Sequence, residues 1–349
     1  MRTVPDGREG ARVDMGDGDQ RIGARRRALV RRRAVFAAPL LVVPSAVRAQ
    51  GQARLPRIGV IHWEGPDATF RITEALQAMA SAGLRDGVNV TFDWRWASGS
   101  RARAAEAAIE LEKGGVAVIY AYTTPVAHAV KDAVTRTPVV FNVSDALSTG
   151  IVANLSRPGG LLTGVMSSGP ELAPKRLEIL REAVPHLGRV GFLGSSIDPN
   201  SETFIRETSV AARQLGIDVL PVRIRGPEEF PAALDRMLAD KVQAAIVQTL
   251  FLASARAFIE PAIGRGLASA GDQPLFAEQG ALVAFGADRV SLAERAAALI
   301  DRVLKGANPG DIPVETPSKF WLAVNQKTAR MLRLTLPSSL LIRADEVIE

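Results

Sequence analysis

Polar side chains follow several apolar, strand-like segments of this sequence, at the points where those segments end. They lie in the stretches HWEGPDAT (62–69), YTTP (122–125), NVSDALSTG (142–150), GSSIDPNS (194–201) and QTLF (248–251). Hydroxyls and carboxylates at such points are also common helix N-caps, so each stretch alone has a structural interpretation. If several face one cleft, helix N-termini favour a ligand carboxylate, and acids such as Glu64 and Asp145 could hold an amine. This chemistry suits an amino acid or a similar small polar metabolite.

Three residues in these stretches carry individual expectations. Trp63 at a strand tip could stack on a planar ligand. Pro125 suits the first helical position and Thr124 the N-cap before it, so Thr124 has a structural role whether or not it meets a ligand. Thr123 is not needed as a cap. We also expect Asp145→Ala to weaken binding without changing the unfolding temperature of the ligand-free protein.

Several kinds of chemistry have no motif in the chain. The sequence contains no P-loop, and GRVGFLG spaces its glycines differently from a dinucleotide fingerprint. It contains no Cys, and its three His residues are scattered, which predicts no metal site. No G-x-S-x-G nucleophile elbow occurs. We therefore predict no cofactor, and nothing in the sequence requires an enzyme.

The net charge of +6 is confined to the N-terminal region. Residues 1–49 carry 11 Arg, no Lys and five acids, whereas residues 50–349 carry 32 basic and 32 acidic residues. A chain body without net positive charge does not favour binding to a phosphate backbone. Nucleic acid is therefore not an expected partner.

Residues 1–49 resemble an export leader. Two arginine clusters precede the short apolar run AVFAAPLLVV, and small residues precede a cleavage point expected after Ala49. RRAVF (32–36) also fits a twin-arginine signal, and the Sec and twin-arginine routes remain alternatives. No later segment is apolar enough to span a membrane. We expect a periplasmic protein after removal of the leader.

The order of elements predicts an α/β fold. Strand-like and helical patterns alternate from residue 56, then the rhythm restarts near residue 189, which indicates two doubly wound parallel-sheet lobes. Three crossovers are expected, near 163–168, 281–286 and 319–325. The predicted N-terminal lobe comprises 56–165 and 283–308, and the C-terminal lobe 166–282 and 318–349.

Three segments resemble the exported substrate-binding proteins of an ABC transporter family whose best-known members bind tryptophan or other aromatic amino acids. They are SRPGGLLTGV (156–165), ELAPKRLEILREAVP (171–185) and the long C-terminal stretch 302–349. The resemblance covers nearly all of 56–349. It implies a type I periplasmic binding protein fold with a ligand cleft between the lobes. It also implies a cognate permease and an ATPase as partners, and a monomer is expected.

The resemblance also implies ligand-facing positions. In the N-terminal lobe they are Thr123, Thr124, Ser144, Asp145 and Ser148. Ser195, Ser196 and Phe251 are implied in the C-terminal lobe, with Phe285 near a crossover. This chain departs from the family at Trp63-Glu64, where small residues are usual, and at Thr123, where Gly is usual. Because of that departure we expect Thr123 to distinguish the ligand of this protein from those of its relatives.

Two other functions remain alternatives to import. A periplasmic sensor subunit would use the same clamp to signal to a membrane receptor, and an α/β enzyme would use the cleft as an active site. Neighbouring permease and ATPase genes would favour import, whereas a neighbouring histidine kinase gene would favour sensing. Turnover of a bound compound would favour an enzyme.

Overall fold

A computed structural model describes residues 54–67 and 69–349, with backbone only for 69–72 and 74. The predicted leader, 1–49, lies outside the described residues. The chain forms a five-stranded sheet and a seven-stranded sheet. We call the part built on the five-stranded sheet the first lobe and the part built on the seven-stranded sheet the second lobe.

The first lobe is built on a parallel sheet of five strands in the order β2-β1-β3-β4-β5. Its strands are β1 (Arg57–His62), β2 (Thr91–Trp96), β3 (Val118–Tyr122), β4 (Val139–Val143) and β5 (Leu162–Met166). Three helices connect them: α1 (Thr69–Ser81), α2 (Arg101–Lys113) and α3 (Thr124–Ala133). β1 and β3 read as continuous apolar runs because helices cover both faces of the sheet.

The second lobe contains a seven-stranded sheet in the order β12-β11-β10-β9-β8-β6-β7. Its strands are β6 (Arg189–Ser195), β7 (Asp218–Ile224), β8 (Ala244–Val247), β9 (Ala268–Gly271), β10 (Val283–Ala287), β11 (Phe320–Asn325) and β12 (Glu346–Ile348). The remaining helices are α4 (Ala173–Ala183), α5 (Ser201–Gln214), α6 (Phe230–Ala239), α7 (Ala255–Gly264), α8 (Leu275–Glu278), α9 (Arg289–Leu304), α10 (Gln326–Met331) and α11 (Ser338–Arg343). β10 and β11 pair antiparallel, which is a departure from the all-parallel lobe predicted.

The chain passes between the lobes three times. It leaves the first sheet after β5, returns between β10 and α9, and leaves again between Glu315, which bridges to Val165, and β11. The apolar face of α9 packs on the first sheet, with Leu292, Leu299 and Ile300 in the same core as Ile58. The predicted α/β class with two lobes and three crossovers is therefore confirmed.

One placement within the predicted domains is corrected. The range 283–308 was assigned to the N-terminal lobe, but its strand, β10, hydrogen-bonds to β9 and β11 in the second sheet. Only α9 packs on the first lobe. β9 was not predicted because its segment, ASAG, contains no β-branched residue. Without β9, β10 had no predicted neighbour in the second lobe.

The two sheets turn their strand ends toward each other. Residues that follow β1, β3 and β4 in the first lobe meet residues that follow β6, β8 and β9 in the second. Loops at the carboxyl ends of parallel strands commonly form ligand sites. Within the part of the chain that the structure describes, no helix is long and apolar enough to cross a membrane.

Candidate functional site

A cavity lies where the strand ends of the two lobes meet. The space there that protein atoms do not fill is about 550 Å³, a volume that includes space open to solvent. We call it the inter-lobe cavity, and its lining residues are Glu64, Tyr122, Thr123, Thr124, Asn142, Val143, Ser144, Ser167, Asp198, Thr249, Leu250, Gln273, Arg289 and Leu292. Among these are four residues that the sequence predicted: Glu64, Thr123, Thr124 and Ser144. The lining is mixed in charge and polarity, which suits a small ligand that is itself polar.

In the first lobe, three predicted residues meet the cavity at the tips of β3 and β4. The helix α3 begins at Thr124, with Thr123 before it and Pro125 in its first turn. The backbone N–H of Ser144 donates to Thr124 Oγ1 at 3.4 Å, which holds the two strand tips together. The N-terminal end of α3 carries partial positive charge and amides that need partners, so it can accept an anionic group.

The hydroxyl of Thr124 does not cap its helix. Its Oγ1 accepts a hydrogen bond from Asn200 Nδ2 of the second lobe. Nearby, Thr203 Oγ1 of the second lobe donates to Ser148 Oγ of the first at 3.3 Å. Two predicted ligand residues, Thr124 and Ser148, therefore join the lobes directly.

Glu64 follows β1 and lines the cavity from the first lobe. His62 Nδ1 lies 2.9 Å from Glu64 Oε2, which orients this carboxylate. The imidazole of His62 is in turn stacked on the ring of Tyr122, with 4.7 Å between the ring centroids. These contacts give the first lobe an acid held in place by a buried ring.

Asp198 is the acid that the second lobe contributes. Its Oδ1 accepts from the backbone N–H of Asn200 at 3.0 Å, and its Oδ2 accepts from Gln248 Nε2 at 2.6 Å. Burial of the carboxyl raises the pKa of Asp198 to about 7, and the neighbouring Asp272 also raises it. An ammonium group in the cavity would favour the ionised form of Asp198.

Arg176 and Asp272 are two further buried titratable residues of the second lobe. Burial raises the pKa of Asp272, and the charge of Arg176 opposes that rise. The guanidinium of Arg176 is fully buried and donates from Nε to Phe285 O at 3.3 Å and from Nη2 to Gly169 O at 3.4 Å. Burial in turn lowers the pKa of Arg176. The two hydrogen bonds of Arg176 join α4 to β10 and to the segment that follows β5.

A second, more apolar space of about 370 Å³ adjoins the inter-lobe cavity. We call it the aromatic compartment, and its lining residues are His62, Ala75, Ala78, Met79, Tyr120, Tyr122, Asn142, Arg289 and Ala293. Tyr122, Asn142 and Arg289 line both spaces, so the two are adjacent. The ring of Tyr120 meets that of Tyr122 edge to face at 6.2 Å. This lining suits an apolar or aromatic side chain next to a polar head.

Three predicted polar residues support loops and do not line the inter-lobe cavity. Asp145 Oδ1 accepts from the backbone N–H groups of Leu147 and Ser148, both at 3.0 Å. Ser195 is fully buried and its N–H donates to Gln248 Oε1 at 2.7 Å. Ser196 is exposed. In the described arrangement these three residues belong to loops, and their assignment as ligand contacts stays a prediction.

The three predicted aromatic residues also lie outside the inter-lobe cavity. Trp63 belongs to the buried core of the first lobe, contrary to the expectation that it lacked a core role. Phe251 packs edge to face on Phe230 at 5.5 Å, and Phe285 stacks on Phe320 at 6.2 Å. Trp63 and Phe251 do line a second groove between the lobes, which shares Glu64 and Leu250 with the inter-lobe cavity.

Sequence reasoning missed Asp198, Asn200 and Gln273. The first two lie in the predicted stretch 194–201, but the hydroxyls of Ser195 and Ser196 were chosen over the only carboxylate there. Gln273 follows β9, the unpredicted strand. Its Oε1 is buried without a hydrogen-bond partner among the described residues. Among the described residues, no group of three or more His or acidic residues could hold a metal ion.

Comparisons with known proteins agree with this geometry. The chain is 25% identical over 283 residues to the tyrosine-binding protein of Clostridioides difficile (strain R20291), covering 78% of this chain and 79% of that protein. It is similar to the crystal structure of an ABC domain from Streptococcus pneumonia in complex with L-Trp, with a TM-score of 0.78 and 26% identity, covering 84% of this chain and all of that one.

A conserved domain protein from Vibrio cholerae shares the fold, with a TM-score of 0.78 and 22% identity over 84% of this chain and all of that one. The fold is that of type I periplasmic binding proteins. The family model for ABC transporter substrate binding proteins matches residues 58–348, nearly all of the described chain. The chain therefore belongs to the ABC transporter substrate binding protein family.

Proposed function

We propose that this chain is the exported solute-binding protein of an ABC importer and that it captures an amino acid between its lobes. The observation that carries the proposal is the inter-lobe cavity, which pairs a buried acid of one lobe with a helix N-terminus of the other. Asp198 can take the ammonium group, with Glu64 as a second acid, and the start of α3 beside Ser144 can take the carboxylate.

The side chain of the amino acid would enter the aromatic compartment. His62, Tyr120 and Tyr122 present rings there, and Met79 adds an adaptable apolar surface. A tyrosine-binding relative and a similar structure complexed with L-Trp support an aromatic side chain. We propose L-tyrosine and L-tryptophan as the first candidates.

Capture would couple to transport through closure of the lobes. A ligand that contacts both lobes favours the closed state, and the closed protein would dock on a membrane permease driven by an ATPase. The arginine-rich residues 1–49 would direct export and be removed after Ala49, leaving the protein in the periplasm. No chemical transformation of the ligand is part of this proposal.

Native mass spectrometry and thermal shift over the amino acids test the proposal. A ligand present at about 100 times its Kd should stabilise the protein by about 2.7 kcal/mol. Tyramine, which lacks the carboxylate, and 3-(4-hydroxyphenyl)propanoate, which lacks the amine, should each bind more weakly than L-tyrosine. An unshifted melting temperature with every amino acid would contradict the proposal.

A further inference from the structure

Thr123 has a backbone conformation that side chains rarely adopt. Its φ is 88° and its ψ is 153°, a combination found almost only at glycine. A Cβ, and above all a branched one, collides with the backbone in this region. The conformation therefore stores strain at the first residue beyond β3.

Other residues with positive φ in the described chain do not share this situation. Ser98, Ser168, His186, Lys241 and Arg333 have φ values of 46–57°, near those of the left-handed helical region that non-glycine residues tolerate. Thr123 is the only β-branched residue with a positive φ among the described residues. A strained residue persists only when its surroundings hold it there.

Two backbone hydrogen bonds hold Thr123 in place. Its N–H donates to Asn142 O at 2.9 Å, and its carbonyl accepts from the N–H of Ala127 at 3.0 Å. The first bond joins β3 to β4, and the second begins α3. Rotating the residue out of the strained region would break the strand end or the helix start.

The side chain of Thr123 destabilises the folded state in a second way, in addition to the backbone strain. Thr123 lines the inter-lobe cavity, and its Oγ1 is buried without a hydrogen-bond partner among the described residues. A buried hydroxyl without a partner is unfavourable, and a buried one usually has a partner. Glycine would remove both costs, which makes the threonine hard to explain by folding alone.

We propose that Thr123 is a specificity-determining residue whose hydroxyl hydrogen-bonds a polar group of the bound ligand, and that the strained backbone holds it in position to do so. This inference rests on the proposed function, because it takes the inter-lobe cavity as the ligand site. The amine and the carboxylate of an amino acid are the polar groups available to the hydroxyl.

Three variants separate the hydroxyl from the strain. Thr123→Val keeps the branched side chain and removes the hydroxyl, Thr123→Ser keeps the hydroxyl, and Thr123→Gly removes both. By isothermal titration calorimetry with L-tyrosine and L-tryptophan, the Val and Gly variants should lose about 2- to 10-fold in affinity. The Ser variant should stay close to wild type.

The ligand-free proteins report the strain separately. Thr123→Gly should raise the melting temperature by about 2–5 °C, since the relieved strain exceeds the extra freedom of glycine in the unfolded chain. The control is Thr135→Gly, just past the other end of α3, where φ is not positive and the hydroxyl donates to Glu112 Oε1 at 3.1 Å, so the change should lower the melting temperature. A lower melting temperature for Thr123→Gly than for wild type would show that the backbone of Thr123 does not store strain.

Titrations with tyramine and 3-(4-hydroxyphenyl)propanoate identify the group that the hydroxyl binds. If one of these two probes binds Thr123→Val as tightly as it binds wild type, the group that this probe lacks is the one that the hydroxyl contacts. If Thr123→Val binds L-tyrosine and L-tryptophan as wild type does, Thr123 is not a specificity residue although the proposed function stands. If wild type binds no amino acid, the proposed function fails and the assignment of the hydroxyl fails with it.

Discussion

The carboxyl group of Asp198 is buried between two donors and beside a second buried acid, Asp272. Burial opposes ionisation, whereas a bound ammonium favours it, so ligand binding and proton release are coupled. With a pKa of about 7 in the ligand-free protein, the group titrates within the physiological range. In the proposed site Asp198 would therefore both hold the ligand and make its binding depend on pH.

We predict that affinity for an amino acid falls below pH 7. Under those conditions Asp198 is protonated in the free protein and must release its proton to hold the ammonium, which costs about tenfold in affinity per pH unit. Calorimetry from pH 5 to 8, repeated in buffers of different ionisation enthalpy, measures both the affinity and the proton release. Asp198→Asn should bind at least about tenfold more weakly at pH 8 and show a flatter profile. An equally steep profile in this variant would assign the dependence to another group.

The same shift predicts how the stability of the ligand-free protein depends on pH. The pKa of Asp198 is about 7 when folded and near 3.8 when unfolded, so the folded state retains a proton that the unfolded state releases. The stabilising contribution is complete below about pH 4 and is lost as the pH rises through about 7. Urea unfolding should show a smaller loss of stability between pH 5 and pH 8 in Asp198→Asn than in wild type. Equal losses in the two proteins would contradict the folded-state pKa.

The structure reverses the expectation for Asp145→Ala. Asp145 Oδ1 accepts two backbone N–H groups of its own loop, and Thr149 Oγ1 donates to the Asp145 carbonyl at 2.6 Å. Loss of the carboxylate leaves those N–H groups without a partner, so we predict a destabilisation of about 1–2 kcal/mol with affinity changed less than about threefold. Urea unfolding and calorimetry measure the two quantities. Weakened binding with unchanged stability would restore Asp145 as a ligand contact.

The site was predictable from the sequence at the level of loops and less so at the level of side chains. A polar stretch after an apolar strand identifies the edge of the sheet, which is why Thr123 and Ser144 were found. The path of the chain within the stretch decides which side chain reaches the cavity. In 194–201 the turn buries Ser195 against Gln248, exposes Ser196 and brings Asp198 to the cavity. No local pattern distinguishes these outcomes.

At the scale of elements, two glutamines fix the ends of β8 to its neighbour β6. Gln248 Oε1 accepts from Ser195 N and from Ser201 Oγ, both at 2.7 Å, while its Nε2 holds Asp198. At the far end of β8, Gln243 Oε1 accepts from Gly188 N at 2.6 Å and from Arg189 N at 3.0 Å. Each side-chain amide joins one end of β8 to β6, but only Gln248 is next to the inter-lobe cavity.

This arrangement provides a matched pair of variants. Gln248→Leu should destabilise the protein by about 2–4 kcal/mol because it leaves buried polar groups unpaired, and it should weaken amino-acid binding about tenfold through Asp198. Gln243→Leu should destabilise the protein, by less because this end of the strand is more exposed, and should leave affinity unchanged. Denaturant unfolding and calorimetry on both variants check this. Equal effects on affinity would show that Gln248 acts only through stability.

The prediction of elements succeeded where residue types were distinctive. β-branched strands such as β3 and the amphipathic helices were recognisable, and their order gave the two lobes. β9 is formed by Ala, Ser and Gly because Phe276 packs against it, and a Cβ on Gly271 would lie 2.2 Å from the ring. The close packing of Phe276 requires small residues in β9, and small residues have low strand propensity. The sequence of β9 therefore does not indicate a strand. That one omission also misplaced β10.

For the whole molecule, the described arrangement is closed. Asn200 bonds Thr124 across the lobes, Thr203 bonds Ser148, and Leu250 of the second lobe packs against the core of the first. Asn200→Ala removes one direct link and should shift the ligand-free protein toward open states. We predict a larger radius of gyration by small-angle X-ray scattering and about 2- to 10-fold weaker amino-acid binding.

Thr208→Val provides a control for that experiment, because Thr208 is buried in α5 of the second lobe and does not line the cavity. It should change neither the scattering nor the affinity. If Asn200→Ala also leaves both unchanged, the hydrogen bond to Thr124 does not contribute to closure.

The position of Arg176 has a mechanical consequence. Its guanidinium donates hydrogen bonds to the carbonyls of Gly169 and Phe285. These two residues lie on the second-lobe side of two of the three inter-lobe passages. Because these hydrogen bonds hold the second-lobe ends of those two passages, we expect the backbone to bend in the few residues between Gly169 or Phe285 and the first lobe. The third passage, 316–319, is held from the first lobe instead, because Arg295 of α9 donates to Thr316 O at 3.3 Å and to Ser318 Oγ at 2.7 Å. A fluorescent reporter that must follow opening without disturbing these contacts therefore belongs on Lys319, whose side chain is exposed.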